Sequence, residues 1–181
     1  GLTTRKPYIY SLNEIQALMA AAADMAPTGS LKPHTYQTLI GLLYSTGIRI
    51  GEAIALNYLD FYDEHGKLFI ADGKFHKARW LPLAPSTCTA LKTYLQKRRQ
   101  YDEPHTPESP LFLNLSKRRL SYSAVCNDFH QLRDVASIAR TQDIRPRLHD
   151  LRHTFAVCRL LGWYQAGLNV NALLPVLATY M

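Results

Sequence analysis

The sequence predicts a mainly α-helical domain with a small three-stranded antiparallel β-sheet, an α+β class. Two patterns carry this prediction. Apolar residues recur at helical spacing in both halves of the chain, and three β-prone segments separated by turn signals lie between residues 59 and 83. The 181 residues, 47% of them hydrophobic, suffice for one domain with its own core. We therefore interpret residues 1–181 as one unit.

Three helices are expected in the first third of the chain. Ser11 and Glu14 have the spacing of a capping box, and the apolar residues around them recur every three or four positions. A second helix is expected from about His34 to Thr46, where Gly47 provides the left-handed residue that commonly ends a helix. A short helix over residues 50–56 should follow.

The sheet is expected in the middle of the chain. The segments Leu59–Phe61, Leu68–Ala71 and Arg79–Leu83 are short and rich in β-prone residues. Residues 63–66 and 72–74 combine Asp with Gly, which is typical of turns. The sequence therefore predicts an antiparallel sheet at the edge of a helical body.

Helices are expected again after the sheet. Ser86 and Ser121 are each placed to cap one helix, and another should begin near His149. A last helix should start near Asn171 and still be running at the end of the sequence. The helix after His149 is expected to bury one apolar face: Leu151, Phe155, Cys158 and Leu161.

Composition narrows the class of partner. Lys and Arg outnumber Asp and Glu by 21 to 14, which gives a net charge of +7 and favours a polyanionic partner. No apolar run approaches the roughly 20 residues of a membrane span. The cysteines, at positions 88, 126 and 158, form no C-x-x-C pair, so a cysteine-based zinc site is not expected. Their odd number indicates a protein of the reducing cytoplasm.

The first candidate site residue is Arg49, at the predicted helix–helix junction between Gly47 and Gly51. A guanidinium held there can donate two parallel hydrogen bonds to a phosphate. An ordinary ion pair with Glu52, three residues on, explains the same residue without any ligand.

The second candidate is the predicted hairpin turn before the third strand. Lys74, His76, Lys77 and Arg79 are cationic or can become so within six residues. A lysine at a hairpin tip suits a phosphate or a leaving oxygen. A solvated turn is the alternative.

The third candidate is the start of the helix near His149. His149 and Arg152 are three residues apart, so they share a helix face and can bind two oxygens of one phosphate. His149 and His153 also have the spacing of a metal-binding pair, but a third ligand is not evident in the sequence. A histidine–aspartate phosphohydrolase would need further His and Asp motifs, which are absent.

Together the three motifs, in this order, resemble the tyrosine recombinases, also called the phage integrase family. Residues 46–56, TGIRIGEAIAL, resemble the family's first arginine box. Gly73-Lys74, followed by Lys77, Arg79, Pro82 and Leu83, is similar to its β-hairpin lysine. Residues 149–153, HDLRH, are similar to its H-x-x-R box. The resemblance extends from Tyr8 onward.

The resemblance implies cleavage of one DNA strand by a tyrosine, through a 3′-phosphotyrosyl link. Arg49 and Arg152 would bind the scissile phosphate, and Lys74 would protonate the departing 5′ oxygen. His149 would hydrogen-bond the phosphate and assist proton transfer. In the same resemblance Glu52 and His153 are supporting residues, and the remaining hairpin cations contact DNA: His76, Lys77 and Arg79. No metal and no cofactor are implied.

The resemblance also implies that the chain is a fragment of a catalytic domain. The family has an N-terminal DNA-clamping domain, and it places another histidine or tryptophan and then the nucleophilic tyrosine after the last helix seen here. Tyr164 and Tyr180 fall before that point, so no nucleophile is expected in this chain and it should not cleave DNA as it stands. Phe75 also departs from the family, which often has glycine there.

The expected partner is double-stranded DNA, without a membrane. The full-length protein is expected to work as a homotetramer on DNA, in the cytoplasm and at the nucleoid when bound, with a monomer left open for the fragment. Two alternatives remain: a naturally truncated DNA-binding protein that does not cut, and a metal-dependent phosphoesterase using His149, Asp150 and His153.

Overall fold

A computed structural model describes residues 5–71, 78–104, 106–138 and 144–180. Seven α-helices, two short 3-10 helices and three strands occur in these ranges, and the predicted mainly helical α+β class is confirmed. The elements, in chain order, are α1 (Leu12–Ala23), α2 (Lys32–Thr46), α3 (Ile50–Ala55), β1 (Phe61–Tyr62), β2 (Lys67–Ile70), β3 (Arg79–Pro82), α4 (Pro85–Tyr101), α5 (Tyr122–Val135), α6 (Asp150–Gln165) and α7 (Val170–Tyr180).

Helix α2 lies at the centre and contacts α1, α4 and α6. Leu39, Ile40, Leu42 and Leu43 are all almost fully buried, so apolar side chains of α2 point in several directions at once. This placement fits a helix that is surrounded by other helices rather than one lying on the surface. The C-terminal end of α2 is consequently held rigidly, and the candidate site begins there.

The helix boundaries that depend on local signals follow the sequence closely. Ser11 and Glu14 form a reciprocal capping box at the start of α1, and the Ser121 hydroxyl accepts the backbone N–H of Ala124 at the start of α5. Gly47 ends α2 with φ +68°. These three predicted signals are confirmed.

Two predictions in the second half of the chain are wrong. Ser86 does not cap α4, because the helix already begins at Pro85 and Ala84 takes the cap position. On α6, Leu151 is buried and Phe155 is half-buried, but Cys158 and Leu161 are exposed. The first turns of α6 lie against the core, whereas its later turns extend past it, and periodicity alone does not show where a helix leaves the core.

The sheet has the order β1–β2–β3, with antiparallel pairing throughout. Leu68, Ile70 and Leu81 are buried beneath it. Phe69 pairs with Trp80 on the opposite face, where the ammonium of Lys67 lies 4.1 Å from the centre of the Trp80 ring. By this alternation Arg79 points to the same side as Leu81, towards the helices.

Candidate functional site

Arg49 lies in the short connection between α2 and α3. It has an extended backbone, with φ −72° and ψ 145°, and its N–H donates to the Glu52 carboxylate at 2.9 Å. Just before it, Gly47 takes a left-handed conformation, and a Cβ at that position would lie 2.3 Å from the Phe155 ring of α6. The glycine thus permits both the turn and the close approach of α6.

Glu52 joins two of the arginines. Its carboxylate is nearly buried and accepts two hydrogen bonds of 3.0 Å from the Arg79 guanidinium, as a bidentate pair. It also accepts a hydrogen bond of 3.2 Å from Arg49 Nη1. Burial acts to raise the pKa of Glu52, but the hydrogen bonds and charges of Arg79 and Arg49 outweigh it, so the pKa lies below its ordinary value. Glu52 is therefore ionised at neutral pH.

Arg152, on α6, approaches Arg49 and Arg79. These three residues are called the arginine cluster. The Arg152 side chain is buried, and its Nη1 donates to the Gly47 carbonyl oxygen at 2.6 Å. Burial and then the charges of Arg49 and Arg79 lower the pKa of Arg152 to about 10, against an opposing contribution from Glu52. The fold therefore brings Arg49, Arg79 and Arg152 close enough for their charges to interact, although they come from three separate parts of the sequence.

Two histidines lie at the start of α6, next to Arg152. His149 occupies the position before the helix, and its ring centre is 5.2 Å from that of His153, with the rings nearly perpendicular. Burial and the charges of His153, Arg152 and Arg147 lower the pKa of His149, and Asp150 opposes them. The His149 imidazole is consequently neutral at pH 7, and such a ring can donate one hydrogen bond and accept another.

The structure thus brings together Arg49, Arg152, Arg79 and Glu52, with His149 and His153 on the same turn of α6 as Arg152. The predicted hairpin residues Lys74, His76 and Lys77 lie outside the described residues. Arg79 was expected to contact DNA from the hairpin, and its observed place beside Glu52 was not foreseen. Its position two residues before the apolar Leu81 in a strand could have indicated a side chain pointing inward.

This arrangement is suited to binding an anion. Guanidinium groups present paired N–H donors that match the oxygens of a phosphate. Mutual repulsion destabilises the protonated Arg152 beside Arg49 and Arg79, and a bound anion would relieve it. Burial strengthens each of these charge interactions relative to water.

No helix among the described residues is both long and apolar enough to cross a membrane. Within the same ranges, no group of three or more His, Cys, Asp or Glu side chains is arranged to hold a metal ion.

The sequence matches the model of the phage integrase family over residues 10–172. It is 38% identical over 180 residues to y4rB of Sinorhizobium fredii, whose name assigns it provisionally to the integrases and recombinases. That match covers 97% of this chain and 57% of the relative. The tyrosine recombinase XerC of Alcanivorax borkumensis is 30% identical over 152 residues, covering 84% of this chain and 47% of XerC. The chain thus spans about half the length of these relatives.

Solved structures agree with these matches. The crystal structure of XerA recombinase superposes with a TM-score of 0.68 and 26% identity, over 88% of this chain and 52% of XerA. A lambda integrase dimer bound to a core site superposes with a TM-score of 0.61 over 83% of this chain and 51% of that protein. At 20% identity, the second likeness concerns the fold alone.

Proposed function

Because the chain belongs to the phage integrase family, we propose that it is the catalytic domain of a site-specific DNA recombinase. The whole protein would cut one strand of a DNA duplex with a tyrosine, hold the 3′ phosphate covalently, and pass it to a second duplex. Double-stranded DNA is then the substrate, and no metal or cofactor takes part. The proposal places the protein in the cytoplasm, at the nucleoid when bound to DNA.

One observation supports this proposal most strongly: Arg49 and Arg152 meet across the α2–α6 contact. Arg152 donates to the carbonyl of Gly47, two residues before Arg49, so the two guanidinium groups are fixed on one small part of the fold. After burial, the charge of Arg49 is the largest cause of the lowered pKa of Arg152. Two arginines held in one part of the fold can each donate hydrogen bonds to the non-bridging oxygens of a phosphodiester.

Each residue then has a role in phosphoryl transfer. Arg49 and Arg152 neutralise the charge on the equatorial oxygens, which is the main requirement of this chemistry. His149, neutral at pH 7, hydrogen-bonds the phosphate and assists proton transfer. Lys74 protonates the departing 5′ oxygen, and its hairpin neighbours His76 and Lys77 contact DNA.

Glu52 and Arg79 have a supporting role in this proposal. The carboxylate of Glu52 fixes the Arg49 backbone N–H and side chain, while Arg79 holds the carboxylate from the other side. His153 supports the His149 ring through their edge contact. The nucleophilic tyrosine and the DNA-clamping domain would belong to other parts of the full-length protein, which would assemble as a tetramer on two duplexes.

The test is a covalent-trapping assay with the full-length protein. A nicked suicide duplex is incubated with the protein in the presence of a chelator, and the protein–DNA adduct is measured on a denaturing gel. The wild type should form the adduct. Arg152→Lys keeps one charge but loses the paired donors, and it should reduce the rate of adduct formation about 100-fold or more.

Arg98 provides a matched control for Arg152. It is also a buried arginine, and it donates to the backbone oxygens of Asp102 and Pro110, outside the candidate site. Arg98→Lys should lower stability and leave the rate per folded molecule unchanged. Intact DNA binding without any adduct from the wild type would overturn the recombinase proposal and favour a DNA-binding protein that does not cut.

A further inference from the structure

A buried polar network lies next to the first turn of α6. It contains Tyr10, Arg133 and Asp150, which come from the segment before α1, from α5 and from α6. Burial raises the pKa of Tyr10, the charge of Asp150 raises it further, and the charge of Arg133 opposes them. None of these residues has a part in the proposed reaction so far.

The network fixes the backbone that leads into α6. The Arg133 guanidinium donates to the Pro146 carbonyl oxygen at 2.6 Å, and the Tyr10 hydroxyl donates to the Arg147 carbonyl oxygen at 2.9 Å. The Arg147 N–H donates to Asp150 Oδ2 at 2.8 Å. Two consecutive carbonyls and one N–H, three and two residues before His149, are therefore all held.

Thr154 adds two further hydrogen bonds that hold the first turn of α6. The Thr154 hydroxyl donates to the Asp150 carbonyl oxygen at 2.9 Å and accepts the Tyr10 backbone N–H at 3.0 Å. His149 and Arg152 lie within this doubly held turn. Their positions relative to Arg49 depend on it, because α6 contributes them both.

The network contains buried polar atoms that have no hydrogen-bond partner. Asp150 Oδ1 is one of them, and so are Nε and Nη2 of the fully buried Arg133, although Nη2 lies 3.6 Å from Asp134 Oδ1 in an ion pair. Buried polar groups that lack partners cost stability, and apolar replacements of similar size are often neutral or stabilising. A buried aspartate directly beside His149 therefore calls for a functional explanation.

We propose that Asp150, together with Tyr10 and Arg133, is a positioning residue for phosphoryl transfer, which sets His149 and Arg152 against the phosphate held by Arg49. This inference rests on the proposed function. Asp150 touches neither the phosphate nor the reacting atoms; it acts through the backbone of residues 146–149 and through its charge on His149. A displacement of about 1 Å at a reacting group can cost about 100-fold in rate, so a small relaxation of this turn is enough to matter.

The charge of Asp150 gives the proposal a specific signature. The charged and titratable groups acting on His149 are His153 and Arg152 from α6 and Arg147 from the preceding segment, which lower its pKa together with burial, and Asp150, which raises it. Removing the negative charge should therefore lower the pKa of His149 further. Asp60, which lies outside the site, is not among the groups that act on this titration.

Asp60 offers a matched control. Its carboxylate is also buried, and its Oδ2 also accepts the backbone N–H three residues earlier, from Asn57, at 2.8 Å. Asp60→Asn thus makes the same chemical change as Asp150→Asn, in the same kind of local contact but outside the site. The two variants should lose a comparable amount of thermal stability.

The experiment compares Asp150→Asn and Asp60→Asn in the full-length protein. The rate of adduct formation on the suicide duplex, the Kd for an intact duplex, and the pH titration of the His149 ring by NMR are measured. His149→Gln assigns the resonance. We expect Asp150→Asn to slow adduct formation about 10-fold or more, to leave Kd within about twofold, and to lower the His149 pKa. Asp60→Asn should match the wild type in all three.

The outcomes separate this inference from the proposed function. If the wild type forms no adduct, the recombinase proposal fails. If the wild type forms the adduct and Asp150→Asn equals Asp60→Asn in rate and in His149 titration, the recombinase proposal stands and Asp150 is only structural. If Asp150→Asn slowed adduct formation but left the His149 titration unchanged, the effect of its charge on His149 would be overturned, and its role in positioning the turn would stand.

Discussion

Glu52 is the residue on which the arginine cluster depends most directly. A carboxylate with 4% of its side chain exposed is costly to bury, and here the cost is offset by hydrogen bonds from Arg79 and Arg49. Removing it would leave two guanidinium groups facing each other without their shared counter-ion. The cluster that would bind a phosphate therefore lowers the stability of the protein when no phosphate is bound.

Glu52→Gln should consequently destabilise the protein at neutral pH, by about 3 kcal/mol, the typical result of breaking a buried ion pair. The pKa of Glu52 in the folded protein lies below its ordinary value of 4.5. The stability that ionised Glu52 contributes is thus present above about pH 4.5 and is lost as the pH falls through the folded-state pKa. The difference between wild type and Glu52→Gln should shrink over that acid range.

Urea unfolding of both proteins between pH 3 and pH 7 measures this difference. Glu64→Gln, at an exposed position, serves as the control and should stay close to the wild type throughout. A gap between wild type and Glu52→Gln that is the same at pH 3 and pH 7 would contradict the argument.

The sequence identified Arg49, His149 and Arg152 because each lies in a short motif at a recognisable element boundary. It did not identify the Arg79–Glu52 pair or the network of Tyr10, Arg133 and Asp150. Those contacts join residues that are distant in the chain, and nothing in the local sequence of Arg133 indicates that it is fully buried. The pairing of buried charges depends on the tertiary fold.

Among the elements, the junction of α2, α3 and α6 places the site. Gly47 ends α2, turns the chain towards Arg49 and leaves room for the Phe155 ring. Its role as a helix stop was predictable from sequence, because a left-handed glycine at a helix end is a local feature. Its contact with α6 was not, because the contact depends on where α6 lies.

Gly47→Ala should therefore be destabilising for two reasons. Alanine is strained at φ +68°, by about 1 kcal/mol, and its Cβ would overlap the Phe155 ring, which adds about 1–3 kcal/mol. Because the same shift would move α6 and with it Arg152, DNA affinity should fall as well. Thermal unfolding and duplex binding measure the two effects.

Gly51→Ala is the control for this prediction. Gly51 lies inside α3, and no atom lies within 4 Å of the Cβ that alanine would add. Alanine is a better helix residue than glycine by about 1 kcal/mol, so this variant should be as stable as the wild type or more stable. Equal stability of the two alanine variants would contradict the close-contact argument at Gly47.

At the scale of the whole molecule, the net charge of +7 and the arginine cluster make different contributions to DNA binding. The net charge attracts any polyanion from a distance, and salt screens it. In the proposed function, the cluster binds one phosphate and displaces counterions from it alone. A titration with salt separates the two, because the slope of log affinity against log salt reports the number of phosphate contacts.

Affinity for a DNA duplex should accordingly fall linearly on such a plot, and Arg49→Gln should make the slope shallower by about 0.9, the value of one lost phosphate contact. Arg118→Gln removes the same charge from an exposed position outside the cluster, so it should weaken binding slightly and leave the slope unchanged. Fluorescence anisotropy at salt concentrations between about 50 and 200 mM is sufficient. If both variants changed the slope equally, binding would depend on total charge alone, and the cluster of Arg49, Arg79 and Arg152 would have no specific part in holding a phosphate.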